Sequence, residues 1–157
     1  MLLVSLVIAA AARWSFPMPD VPDVAGERMR LERLDAFDRV RDTVMFSEPA
    51  GGGYLLTLVT DDLFAGRTSH SLRDDCPAAR ALLIDPAAAS RRELPAPPAP
   101  GVTIIYPDSP RYRITDRTNG QPPIGRAGDE IYDLLSREGL WSADVFGEVG
   151  TCIAAGR

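Results

Sequence analysis

The first clear alternation of apolar and polar positions begins at Glu27. On a helical wheel the apolar side chains share one side: Met29, Leu34, Phe37, Val40 and Val44. The charged side chains fall opposite them: Glu32, Asp35, Asp38, Arg39 and Asp42. This division predicts an amphipathic helix that starts near Glu27. Val40, Val44 and Phe46 also fit a strand, so the helix is expected to end near Arg41.

A β-hairpin is predicted next along the chain. Residues 43–46 and 54–60 are rich in β-branched and aromatic side chains, and they flank Pro49 and three consecutive glycines at 51–53. Apolar runs separated by such residues are typical of two strands joined by a loose turn. Residues 61–75 are mostly polar and predict a long loop.

The middle of the chain predicts one short helix and two strands. Residues 77–84 form the helix, which Asp85 and Pro86 end because a residue before proline disfavours the helical conformation. Residues 94–100 are polyproline-like and suit an internal linker or a surface strap. The β-branched segment 102–106 predicts a buried strand, and 111–115 predicts the next one.

The C-terminal part predicts a turn, a helix and a final strand. Asn119 and Gly120 have turn chemistry. A helix is predicted to start at Asp129 and to carry Ile131, Leu134 and Leu135 on one face, with Arg137 in its last turn and Gly139 just beyond. Residues 145–154 predict the last strand, which contains Cys152.

Together these elements predict a small single α+β domain. A mostly antiparallel sheet is expected to pack against the helices that begin near Glu27 and Asp129. We assign residues 1–12 to a signal peptide, 13–26 to a proline-rich lead-in and 27–157 to the domain, with the internal proline-rich segment at 94–100. The length of 157 residues fits one hydrophobic core.

The N-terminal run indicates export. Residues 2–12 (LLVSLVIAAAA) carry no charge, are too short to span a bilayer and end in an A-x-A-like cleavage site. The segment before them lacks Lys and Arg, which signal peptides normally contain. The location predicted is periplasmic or secreted, with no stable membrane span after cleavage. The alternative is a buried N-terminal strand or helix in a cytoplasmic protein.

The two cysteines, Cys76 and Cys152, predict a disulfide in an oxidising compartment. Such a bridge would contribute about 4 kcal/mol on the loop-entropy model. The alternative is a pair of buried reduced thiols. Their spacing excludes the C-x-x-C motif of redox and zinc-ribbon sites.

Charge and composition exclude several function classes. The net charge of -5 disfavours nonspecific binding to nucleic acid, which needs a basic surface. All 17 basic residues are Arg, so no Lys is present to form a Schiff base. The single imidazole excludes a zinc site built from two or three His. The sequence contains no phosphate-binding or dinucleotide-binding fingerprint, and neither a metal nor a cofactor is predicted.

The densest set of reactive groups lies in the polar segment 61–75. His70 is the one possible imidazole base, and Asp61, Asp74 and Ser69 are the accompanying candidates for a hydrolase. No G-x-S-x-G elbow accompanies them. The carboxylates of this segment also suit a hard cation, although no EF-hand pattern supports one. A solvated loop is the reading that we favour.

A second candidate site is the cluster of Arg111, Tyr112 and Arg113. Alternate residues of a strand share one face, so the two guanidinium groups can clamp a carboxylate or a phosphate. The alternative, which we favour, is that they pair with carboxylates of this same chain.

These observations favour a noncatalytic exported protein that binds another protein or an envelope component. A hydrolase using His70 is the second hypothesis, and an anion-binding module using Arg111 and Arg113 is the third.

Overall fold

One six-stranded sheet organises the protein. A computed structural model describes residues 19–96, 99–100, 108–117 and 131–156. The strands are β1 (Glu27–Leu34), β2 (Val40–Ser47), β3 (Leu55–Asp62), β4 (Gly66–Arg73), β5 (Arg111–Asp116) and β6 (Ile131–Asp133). They are arranged in the order β4-β3-β2-β1-β5-β6, and every neighbouring pair is antiparallel. The predicted α+β class with an antiparallel sheet is therefore confirmed.

Helices cover one face of this sheet, which we call the inner face. They are α1 (Pro77–Leu83), a 3₁₀ helix (Pro86–Arg91) and α2 (Arg137–Ala155). Apolar side chains alternate inward along the central strands and meet the buried stripe of α2. The fully buried members of this core include Met29, Leu31, Val44, Leu56, Val145 and Val149. Burying each such side chain contributes roughly 1.5–3 kcal/mol, so this layer supplies most of the driving force for folding.

A short N-terminal strap, residues 19–24, crosses the opposite, outer face. Val21 is buried against Met45 and Val59, forming a second small apolar cluster. Arg30 donates hydrogen bonds to the carbonyl oxygens of Val21 (2.8 Å) and Pro22 (3.2 Å). The sheet is consequently covered on both faces at its centre, although only one layer of helices is present among the described residues.

A disulfide joins Cys76, immediately before α1, to Cys152 near the end of α2. Their Cα atoms lie 5.6 Å apart, within the usual range for such a bridge. Cys76 is fully buried, and its backbone adopts a left-handed conformation (φ 65°). The predicted pairing is confirmed, and the bridge fixes the two helices to each other.

Other predicted elements hold as well. The strand at 54–60 is β3, the strand at 111–115 is β5, and the short helix at 77–84 is α1. The hairpin across 51–53 is formed by β2 and β3. The predicted signal peptide, the strand at 102–106, the turn at 119–120 and the predicted helix start at Asp129 lie outside the described residues.

Two predictions about the N-terminal half were wrong. The segment from Glu27 is not a helix, because it forms β1, a turn and the start of β2. The segment forms a strand because alternate residues of β1 are covered on opposite faces of the sheet, by α2 on one face and by the strap on the other. The polar segment 61–75 is not a loop, because it contains the end of β3, a tight turn and all of β4.

Two predictions about the C-terminal part were also wrong. Residues 145–154 form no strand, because Val145, Val149 and Ile153 recur every four residues and make the buried face of α2. Arg137 lies in the first turn of α2 rather than in the last turn of a helix. Ser136 caps α2 by accepting a hydrogen bond from the Gly139 backbone N–H at 2.9 Å. Across the described ranges, no helix combines the length and apolar character needed to cross a membrane.

Candidate binding surface

The hydrolase candidates are separated by the sheet. His70 pairs with Leu58, so its side chain emerges on the inner-face side of β4. Asp61 and Ser69 occupy odd positions of β3 and β4 and therefore lie on the outer face. A Ser-His-Asp arrangement needs the imidazole within hydrogen-bond reach of both partners. These three residues are not brought together in that way.

Asp61 belongs instead to an ion-pair chain that crosses five strands of the outer face. Its members alternate in charge: Arg113, Glu32, Arg41, Asp61 and Arg67. The Asp61 carboxylate accepts hydrogen bonds from Arg41 Nη2 (2.8 Å) and Arg67 Nε (2.5 Å). Burial acts to raise the pKa of Asp61, but the two guanidinium groups prevail and hold it below its ordinary value. The carboxylate is therefore ionised and structural.

Asp74 also has a structural partner. It follows β4 with a left-handed backbone (φ 51°), and its Oδ1 accepts a hydrogen bond from the Tyr54 N–H at 2.7 Å. The position is closely packed, because a Cβ built on Gly53 would lie 2.5 Å from the same Oδ1. Asp74 thus fixes the end of the β2–β3 loop, at Gly53 and Tyr54, to the residue that follows β4. No described cluster of three or more His, Cys, Asp or Glu side chains is positioned to hold a metal ion.

The anion-binding candidates pair internally. Arg111 forms an ion pair with Asp38, and Arg113 Nη1 lies 3.0 Å from Glu32 Oε2. Tyr112 is buried, with its ring 6.2 Å from that of Phe146, and burial raises the pKa of its hydroxyl. The geometry agrees with the reading in which these arginines neutralise carboxylates of this chain.

A different surface stands out at the end of the sheet where the β1–β2 and β3–β4 turns meet. We call it the aromatic end, and it comprises Phe37, Leu63 and Phe64. Phe37 is 62% exposed, Leu63 is 47% exposed and Phe64 is 83% exposed. The two turns are adjacent, because the Leu63 N–H donates to the Arg39 carbonyl oxygen at 2.9 Å. Large apolar side chains are thus gathered where hairpin turns usually carry polar residues.

An aspartate organises each turn of the aromatic end. Asp35 Oδ1 accepts hydrogen bonds from the backbone N–H groups of Arg39 (2.6 Å) and Val40 (3.1 Å). Asp62 Oδ1 accepts them from Phe64 (2.7 Å) and Ala65 (2.9 Å). The bonds from Ala65 and Phe64 hold the pKa of Asp62 below its ordinary value. Both turns are therefore ordered before any partner arrives.

Phe37 is further fixed by a cation–π contact. The guanidinium carbon of Arg39 lies 4.7 Å from the centre of the Phe37 ring. The same guanidinium lies 3.6 Å from Asp35. Ordering exposed side chains in advance lowers the entropy lost on binding, which makes such a surface suitable for recognition.

The sequence prediction missed the aromatic end for two reasons. Phe37 was assigned to the apolar side of a helix that does not exist, and Leu63 and Phe64 were included in a polar loop. The detectable signal was Asp62 followed by Gly66, since this spacing encloses a three-residue hairpin turn between β3 and β4. Gly66 has the left-handed backbone (φ 84°) that such a turn requires.

Comparisons with protein-family models, with curated protein sequences and with solved structures found no match to this chain.

Proposed function

We propose that this protein is a noncatalytic, exported binding domain that docks a protein partner through the aromatic end. The observation that carries the proposal is the exposure of Phe37, Leu63 and Phe64 on two hydrogen-bonded turns. Aromatic side chains dominate the energetics of protein interfaces because each buries a large area with few rotatable bonds. Leaving them in water is otherwise unfavourable for a soluble domain.

Charge favours a protein over a lipid surface as the partner. The turns that form the aromatic end contain Asp35, Asp38 and Asp62, and two arginines pair with them, Arg39 with Asp35 and Arg111 with Asp38, so the acidic groups are in excess. Anionic membranes attract basic segments, and the chain as a whole carries a charge of -5. A protein surface with an apolar pocket and a basic rim complements this end of the sheet better.

The disulfide supports the exported setting. Structural disulfides persist in oxidising compartments such as the periplasm and the extracellular space. The Cys76–Cys152 bridge is consistent with the signal peptide proposed from residues 1–12.

The test places a photoreactive phenylalanine analogue at Phe64 of the full chain, in cells that naturally make the protein. We expect one discrete cross-linked product that disappears when Phe37→Ser and Leu63→Ser are added. The matched control places the analogue at Ile84, which is 51% exposed but lies just after α1. Excess wild-type protein should suppress the product, whereas the Phe64→Ser protein should not.

Three results would contradict the proposal. One is cross-linking from Ile84 to the same product as from Phe64. Another is a product that survives both serine substitutions. The third is binding of the purified protein to vesicles of anionic or zwitterionic phospholipid in a manner that Phe64→Ser abolishes, which would identify a membrane ligand instead.

A further inference from the structure

Strand β4 forms an unusually regular edge of the sheet. Every residue from Leu55 to Asp62 pairs in unbroken register with one from Arg73 to Gly66, without a bulge. β4 contains no proline, and all of its residues except Leu72 are exposed. Among the described residues, no strand pairs with its other side. β6, the other edge, has three residues. Protein sheets commonly protect a long edge by bulges, proline or a covering segment. β4 has neither a bulge nor a proline, and of the described segments only the strap reaches it, where Arg67 donates to the Pro19 carbonyl oxygen at 2.9 Å.

The hydrogen-bond register shows which groups face outward from β4. The Asp74 N–H donates to the Tyr54 carbonyl oxygen at 3.0 Å, so the even-numbered residues of β4 exchange bonds with β3. The hydrogen bond from the Leu63 N–H to the Arg39 carbonyl oxygen leads to the same result. It shows that the odd-numbered residues of β3 exchange backbone hydrogen bonds with β2, which leaves the even-numbered ones to bond with β4. The backbone N–H and C=O groups directed at the free edge therefore belong to four residues, the outward residues: Arg67, Ser69, Ser71 and Arg73.

The charge along this edge selects the occupant. β4 contains two arginines and no carboxylate. Arg67 is neutralised by Asp61, but Arg73 forms no ion pair with any described residue. The two carboxylates that follow β4 are directed to backbone donors and not to Arg73, since Asp74 accepts a hydrogen bond from the Tyr54 N–H and Asp75 accepts one from the Cys76 N–H. Arg73 therefore has no salt-bridge partner within the described ranges, and it lies beside the outward backbone groups of β4.

A second copy of this chain fits the edge poorly. Two β4 strands that pair antiparallel through all four outward residues would place Arg67 of each opposite Arg73 of the other. Like charges directly opposite across a ladder are destabilising. An extended segment that presents a carboxylate opposite Arg73 has the complementary charge.

We propose that β4 receives an extended, acidic segment of a partner protein as a seventh, antiparallel strand, with a carboxylate paired to Arg73. The backbone of the outward residues supplies the ladder, and the carboxylate fixes the register. This inference deepens the proposed function by naming the chemistry of the partner, because β4 continues directly from the turn that carries Phe64. The two contacts are nevertheless separable by experiment.

The test titrates the full protein with the capped peptide Glu-Val-Thr-Val-Thr-Val-Glu, which covers the outward residues alone. We expect slowed hydrogen exchange at their four amides, while the amides of Thr68, His70 and Leu72 are already protected. Ser69→Pro should abolish binding, because it removes an outward N–H without removing a bond to β3. Arg73→Glu should weaken affinity about fivefold or more, whereas the control Arg91→Glu, with the same change in charge, should alter it less than about twofold.

Several outcomes would overturn the inference. They are unchanged exchange at the outward amides at saturating peptide, unchanged affinity in Ser69→Pro, and equal binding of a peptide with Lys in place of both Glu. Concentration-dependent dimerisation that Ser69→Pro abolishes would show that a second copy occupies the edge. Phe64→Ser should leave peptide affinity unchanged. If the cross-linking test fails while the peptide still binds, the proposed docking at the aromatic end is refuted and the binding site at the β4 edge is retained.

Discussion

The ion-pair chain makes Asp61→Asn the most informative stability measurement. The Asp61 side chain is 6% exposed and lies between Arg41 and Arg67. Replacing the carboxylate by an amide removes its charge and turns an N–H₂ group towards one guanidinium. Arg41 is itself buried, so its charge loses its closest counterion without gaining access to water.

The magnitude follows from the geometry. Two unit charges about 4 Å apart attract by about 4 kcal/mol at an effective dielectric constant of about 20. Removing one partner of a buried pair costs about 3–5 kcal/mol, because the remaining charge stays desolvated. Arg41 keeps Glu32 at 3.8 Å and a hydrogen bond to the Pro19 carbonyl oxygen. We therefore expect a loss of about 3 kcal/mol, at the lower end of that range.

Urea unfolding monitored by circular dichroism measures this loss. Asp85→Asn is the matched control, because its ion pair with Arg91 is exposed on both sides and should change the free energy of unfolding by less than about 0.5 kcal/mol. A double-mutant cycle with Arg41→Met should show that the two substitutions are not additive. Asp61→Asn alone should cost more than it does when Arg41 has already been removed.

The effect also depends on pH with a defined sign. The folded pKa of Asp61 lies below its unfolded value near 3.8, so the ionised carboxylate stabilises the protein fully above that value. This contribution is lost as the pH falls through the folded pKa. The difference between wild type and Asp61→Asn should therefore shrink as the pH is lowered from about 5 towards 2. A loss below about 1 kcal/mol at pH 7, or a difference that does not change with pH, would refute the reasoning.

Two further predictions concern the helices. Replacing Cys76 and Cys152 together by alanine should lower the free energy of unfolding by about 4 kcal/mol, because the bridge closes a loop with a sequence separation of 76; a loss below about 1 kcal/mol in urea unfolding would contradict this. Within α2, Gly139→Ala should destabilise by about 2–3 kcal/mol, because its Cβ would lie 2.0 Å from the Asp133 carbonyl oxygen. Gly150→Ala meets nothing within 4 Å and should instead stabilise by up to about 1 kcal/mol, so equal signs in thermal unfolding would refute the packing argument.

Sequence pattern predicted the elements whose two faces differ clearly. β3 and β5 have β-branched and aromatic residues between turn signals, and α1 has a proline at its start and an Asp-Pro stop. Local chemistry alone sets the bounds of such elements. The disulfide was also predictable, because two cysteines leave one possible intramolecular pairing.

The missed strands owe their structure to distant residues. In β1, Arg30 and Glu32 face the strap and the ion-pair chain, so charged side chains occupy a covered face and the apolar period is blurred. β4 has almost no apolar pattern, and its register comes from pairing with β3. The spacing of apolar residues cannot predict a strand that is stabilised by pairing with its neighbouring strands and not by burial of one face.

The candidate surface was not predictable from residue chemistry. Catalytic candidates were chosen for their reactive groups, yet Asp61 and Asp74 act as partners for guanidinium and backbone N–H groups. The pattern predicts Phe37 on the apolar side of a helix, and it includes Phe64 in a segment that predicts a polar loop. Their exposure follows from the position of two turns at one end of the sheet, which is a property of topology.

The central position of β1 has a consequence for how the chain is made. β1 pairs on one side with β2, which follows within a few residues, and on the other side with β5, as in the contact of Glu32 with Arg113. During synthesis the β1–β4 meander can therefore form while β1 still has a bare edge, because β5 emerges about 80 residues later. A nascent or truncated chain that ends before Arg111 exposes the eight-residue β1 as its second edge in place of the three-residue β6, and a long bare edge is prone to aggregate. Translation must pass β5 before the free edge of β1 is paired.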